Sequence, residues 1–290
     1  MIQFQNYPIL IVYSMHRQKS VLPLWKDYYA DKKIAREYFV ESLFKFKFDR
    51  VLRSIEIMQK KSLLIDAVFE WQIIEDLRPK YEVEIRRYEN VIKQLLTKIA
   101  GTAIGKILLN SLNQNEMIWI VPFFDVHYLA KTDRFTTEQG GGIRILYNPD
   151  DFKSVYVNPK FSYNAKDEIL FHELVHASRF SNGNTSGANF SERNLDTSEE
   201  EFIATQLANI YQSSKGKRRY YGMSHDGGYG SKEEIYKLMA QNNQIVRIIK
   251  KLLVTEPLAK AAATLKSPEY NPFRDVLQIE AESKKFFIDL

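Results

Sequence analysis

One pentapeptide constrains this chain more than any other part of it: His172-Glu173-Leu174-Val175-His176, an H-E-x-x-H pattern. Residues four apart on a helix lie one above the other on the same face, so the two imidazoles converge on one point. Two nitrogen donors at that spacing suit a divalent metal ion. The glutamate beside the first histidine is then left to handle a proton, the division of labour that metal-assisted peptide hydrolysis needs. The flanking residues predict the required helix. Asn164 and Asp167 make an N-cap and N3 pair, and Asn182-Gly183 closes the segment. Ile169, Leu170, Phe171, Leu174, Val175 and Phe180 make it apolar nearly all round, which predicts burial. Imidazoles and a carboxylate there need partners, because an unpaired buried polar group costs about 1–3 kcal/mol.

A catalytic zinc takes three protein ligands and keeps one position open. The longer pattern H-E-x-x-H-x-x-G-x-x-H would need Gly at 179 and His at 182; this chain has Arg179 and Asn182, which excludes the metzincin class. The third ligand must come from further along. Glu201 is preferred, on a helix capped by Thr197 or Ser198 and running apolar through Ile210 and Tyr211. It shares a face with Ala204, Thr205 and Ala208, small residues that let two helices approach closely. The order Glu201-Phe202-Ile203-Ala204 also resembles the ligand turn of other H-E-x-x-H plus Glu peptidases. Glu200 is the alternative, and Glu199 is read as charge complementing the helix dipole. A rival third ligand is Asp226, because Ser224–Gly230 resembles the T-x-D-x-x-Y-G element of the aspzincins, where the Asp binds zinc and the Tyr steadies the oxyanion. The same loop is also read as overhanging the site, with Tyr221, His225 or Tyr229 as transition-state hydrogen-bond donor.

The rest of the chain supplies the frame. With 290 residues, 44% hydrophobic and 27% charged, it is expected to be a soluble globular protein with a large core. A net charge of +5 is mild and dispersed, and no long basic stripe interleaved with aromatics occurs, so a nucleic-acid partner is not expected. Cysteine is absent, which excludes disulfides, thiolate ligands and a cysteine nucleophile. No stretch approaches the ~20 apolar residues of a membrane span. Met1–Tyr13 lacks a basic n-region and a signal-length apolar core, so neither Sec export nor membrane insertion is expected.

Pro8–Tyr13 reads as a short strand. Helical periodicity then runs from Trp25 to Asn113, broken at Arg78-Pro79 and ended or kinked at Gly101. Near Asn113 the period changes. Met117–Val121 reads as a buried strand, Gly140-Gly141-Gly142 leads into a second at Ile143–Tyr147, and Val155-Tyr156-Val157 makes a third. Strands just before the histidine helix predict an edge strand beside the metal, to which an extended peptide can add by main-chain hydrogen bonds. Ser213–Tyr221 is the most basic segment, read as solvated or as docking substrate. Ser231 and Glu234 form a capping box for a helix to about Val254; a short helix at Ala259–Leu265, a turn and a helical tail follow. His16 and His127 are read as structural. The chain is thus divided into a mainly helical region, 1–113, and a catalytic region, 114–290.

The stretch from Gly101 to Tyr221 resembles the NleD-like effector zinc metallopeptidases that bacteria inject into host cells. The matching pieces are Ile118–Val121, the glycine-rich strand at 140–147, Phe171–Ala177, Asn182-Gly183, Glu200-Glu201 with Ala204, and Arg219-Tyr220. The resemblance implies an α+β zincin-like core with a small sheet, one zinc ion, and cleavage of a host cytosolic protein after delivery by a specialised system. The expectation is therefore a monomeric zinc endopeptidase acting on a protein substrate, with His172, His176 and Glu201 as ligands and Glu173 as general base. The alternatives are an antibacterial peptidase toxin and a non-catalytic, partner-binding protein.

Overall fold

The computed structural model describes residues 2–3, 9–11, 87–121, 130–137, 140–147, 149, 166–184, 189–190, 197–222 and 229–288. They form a mixed α+β architecture, mostly helical. Its sheet has the order β1-β2-β3-β5-β4, with β1 at Ile2–Gln3, β2 at Ile9–Ile11, β3 at Ile118–Val121, β4 at Ala130–Thr137 and β5 at Gly140–Tyr147. The three inner strands are parallel, and β1 and β4 flank them antiparallel. Register aligns Ile9, Ile118 and Ile143 in one row and Ile120, Ile145 and Thr132 in the next on the same face. Of these, Ile9, Ile118, Ile120, Ile143 and Ile145 are buried.

Within the strands expected at Pro8–Tyr13 and Met117–Val121, β2 forms at Ile9–Ile11 and β3 at Ile118–Val121. The triple glycine, expected to lead into a strand, is itself the start of β5 and pairs with Phe135, Thr136 and Thr137 of β4. β4 is the strand that periodicity does not show. Its central residues are polar on both faces: Asp133 holds Arg144 on one, and Thr132 and Arg134 bond to the histidine helix on the other. With no apolar alternation, its sequence reads as a loop. Trp25–Arg78, Asn164, Val155-Tyr156-Val157, His16 and His127 lie outside the described residues.

A helix over 87–100 (α1) gives way at Gly101 to α2, Ala103–Asn110, capped by Thr102. The histidine helix α3 spans Lys166–Ser181 and is buried on almost every side. Its end is a Schellman turn, with Gly183 at φ +67°, Asn184 N–H donating to Arg179 O and Gly183 N–H to Phe180 O. Helix α4, Glu199–Ser214, is capped by the Ser198 hydroxyl. Asp167 meets Tyr211 at one end and His176 meets Glu200 at the other, so α3 and α4 run antiparallel, with Phe171 stacked on Tyr211 at 4.5 Å.

Two short ribbons flank α4: β6 (Asn189–Phe190) with β7 (Thr197–Ser198), and β8 (Tyr220–Tyr221) with β9 (Tyr229–Gly230). The capping box at Ser231 and Glu234 forms as expected and opens α5, Lys232–Ala240. The helix does not continue to Val254, because the Asn242 side chain accepts from Gln244 N–H and starts α6, Asn243–Thr255, anew. Helix α7, Pro257–Ala263, and α8, Val276–Ile288, complete the described chain. One core joins Ile9, Ile92, Leu96 and Ile104 to Leu170, Phe202, Ile249 and Tyr270, drawing on both sides of residue 113. Among the described residues no helix is long and apolar enough to cross a membrane.

Candidate metal centre

One helical turn of α3 and the first turn of α4 bring three donors to one point. The Nε2 atoms of His172 and His176 are 2.9 Å apart. Glu201 places Oε2 3.3 Å from the first and Oε1 3.2 Å from the second. This group of His172, His176 and Glu201 could hold a metal ion. The imidazoles are buried, whereas the Glu201 side chain is 42% exposed, so the group opens on the carboxylate side. Small residues make the approach possible: Ala204, Thr205 and Ala208, on the Glu201 face of α4, are buried.

The two neighbouring acids of α4 divide their work by direction. Adjacent helical residues point about 100° apart. Glu201 reaches the Nε2 side of His176, and Glu200 reaches the opposite edge of the same ring, with Oε1 3.2 Å from Nδ1. Glu200 is in turn held by Arg179, whose Nε donates to Oε2 at 2.9 Å. A carboxylate on Nδ1–H fixes tautomer and ring orientation so that Nε2 faces outward with its lone pair, the usual arrangement behind a ligating histidine. Glu200, the alternative ligand in the sequence, therefore stands behind the ring.

Burial opposes a charge on His176, but the carboxylates of Glu200, Glu201 and Glu173 outweigh it and push its pKa up to about 10. Burial would raise Glu201, yet its bonds to His172 and His176 hold it far below the usual carboxylate range. The cluster shares protons where a divalent cation would supply the positive charge. Glu173 behaves oppositely. Burial pushes its pKa up, and the pull of His176 and Thr132 does not cancel the effect. Its Oε2 lies 2.7 Å from the Thr132 hydroxyl on β4, which is also 3.1 Å from its main-chain oxygen.

Asn209 brackets the main chain of Tyr221, accepting its N–H at 3.0 Å and donating to its carbonyl at 2.8 Å, and the ring is buried. Gln206 Nε2 donates to Gly222 O, so the chain steps from Asn209 towards the turn of α4 that carries Glu201. His225, Asp226 and the side chain of Tyr229 lie outside the described residues. Much of the basic segment is structural: Lys215 bonds Asp167 and Glu168 at 2.6 and 2.7 Å, and Lys217 bonds Glu168 at 2.8 Å.

Sequence reasoning did not single out Thr132, Arg179 or Glu256. Arg179 was within reach, since it follows His176 by three residues and so shares its helical face. Thr132 and Glu256 carry no local signal, because their contacts with α3 are made only by the fold. No protein-family model, curated protein or solved structure matches this chain.

Proposed function

We propose that this chain is a zinc-dependent endopeptidase with a zincin-like core. The observation that carries this reading is the spacing of the three donors together with the separate holding of Glu173. Zinc–nitrogen bonds of about 2.0–2.1 Å at tetrahedral angles set donor atoms roughly 3.3 Å apart. The separations of 2.9, 3.3 and 3.2 Å fit that shape. A purely structural His pair has no need of two further acids, Glu200 behind the ring of His176 and Glu201 beside it.

When bound, the ion supplies Lewis-acid activation of water and of the scissile carbonyl. Glu173 takes the proton of the attacking water and passes it to the leaving amine nitrogen. The Thr132 hydroxyl engages Oε2 and leaves Oε1 for that transfer. Among the described strands β4 pairs only with β5, so its outer edge offers main-chain donors and acceptors to an extended substrate. Tyr221, His225 or Tyr229 stabilises the developing oxyanion in this scheme. The resemblance to injected effector peptidases makes a host cytosolic protein the substrate class, reached through a specialised secretion system. Killing on expression in a bacterial cytoplasm would favour the antibacterial alternative.

Metal analysis of purified protein is expected to give one zinc per chain, and exposed lysate is expected to show new protein N-termini. Glu173→Ala keeps the zinc and loses roughly 10²–10⁴-fold in cleavage rate, whereas His172→Ala loses both. Undiminished cleavage by Glu173→Ala contradicts the assigned base.

A further inference from the structure

Arg179 is only 2% exposed and stands between two carboxylates. Its Nε donates to Glu200 at 2.9 Å, its Nη1 to Glu256, and its Nη2 to the Asn184 carbonyl at 2.7 Å. Glu200 continues to His176 Nδ1. The result is an unbroken and largely buried chain, Glu256–Arg179–Glu200–His176, from the α6–α7 junction to a donor of the metal cluster. One guanidinium cannot neutralise two acids, so a negative charge remains along the chain, and His176 is the group at its other end. Glu256 also caps α7, its Oε1 lying 3.4 Å from Leu258 N–H. A second tie runs alongside, Lys251 of α6 to Glu199 of α4 at 2.7 Å.

We infer that Glu256 is a positioning residue for the metal centre, acting through Arg179 and Glu200 to hold His176 with Nε2 facing the ion. This rests on reading the cluster as a metal site. By sharing Arg179, Glu256 leaves Glu200 free to accept strongly from His176 Nδ1–H. Without that sharing the whole guanidinium charge falls on Glu200, and the ring becomes a looser, less basic ligand. The C-terminal helices thereby set how tightly the ion is held, although they supply no ligand.

The test is zinc affinity, measured on the full chain by competition with a chromophoric chelator. Glu256→Gln keeps a side-chain oxygen for the α7 cap and removes the charge. Losing an outer partner of a metal-bound histidine typically costs about 10–100-fold in affinity, expected for Glu200→Gln; roughly fivefold is expected for Glu256→Gln, one step further out. Because both act through one chain, the double variant should bind no more weakly than Glu200→Gln alone. Wild-type affinity in Glu256→Gln overturns the inference, as do losses that multiply in the double variant. Should Glu256→Gln melt early when zinc-free, Arg179→Lys decides: it keeps the charge but cannot bridge both acids, so unchanged affinity there also overturns the inference. A wild-type chain that binds no zinc rejects the metal reading itself, an outcome visible without any variant.

Discussion

His176 shows how much one residue must do. In the metal-free protein its pKa of about 10 leaves it protonated at neutral pH, because three carboxylates outweigh the effect of burial. A metal ligand needs the Nε2 lone pair, so zinc binding at pH 7 should expel about one proton from this site. Titration calorimetry in buffers of different ionisation enthalpy measures that release, and no buffer dependence would contradict the assignment. The same shift sets a stability window. The folded pKa lies above the unfolded value of about 6.5, so the contribution is complete below that pH and fades as pH rises through about 10. Zinc-free protein should therefore melt lower at pH 10.5 than at pH 6. The residues that make the donor cluster were legible in the sequence because helical spacing alone puts His172 and His176 on one face. The choice between Glu200 and Glu201 was less so: it depends on which edge of His176 each acid meets, and that follows from how α3 and α4 cross.

Among the elements, β4 and the α1–α2 junction show where sequence patterns end. β4 has no hydrophobic rhythm where it meets its neighbours, because Asp133 is engaged with Arg144 and Thr132 with Glu173. Pattern reading detects burial of apolar side chains, whereas β4 is fixed by ion pairs and a ladder. The continuous helix expected after Ser231 fails for a related reason. The apolar spacing persists through Ile245 and Ile249, but Asn242 bonds Gln244 N–H locally and divides it. At the other junction Gly105 meets the α1 terminus so closely that a Cβ would lie 1.9 Å from the Ile99 carbonyl oxygen. Backbone cannot give way cheaply, so Gly105→Ala should cost about 1–3 kcal/mol in urea denaturation, despite the better helix propensity of alanine. A neutral result would mean that α1 and α2 can separate without loss.

Taken whole, the molecule is knit by charge as well as by its core. Asp167 is 2% exposed and collects Lys98 from α1, Lys215 from beyond α4 and the Tyr211 hydroxyl. Burial would raise its pKa, but the bonds to Lys215, Lys98 and Tyr211 lower it below the ordinary value. Its stabilisation is therefore complete above the unfolded pKa of about 3.9 and is lost as pH falls through the folded value. Stability measured between pH 5 and 2 should fall steeply, and Asp167→Asn should flatten that slope while lowering stability at neutral pH. An unchanged slope would show that other carboxylates set the acid limit. The sheet has a further consequence through its two rims. On one rim β4 meets Glu173 through Thr132; on the other, among the described strands, β1 is outermost, with β2 between it and β3. Trimming the first eleven residues would strip the far rim and lay bare the amides of β3, a hazard for solubility. Altering residues 130–137 would touch the chemistry, so protein engineers should treat the two borders of one sheet as different materials.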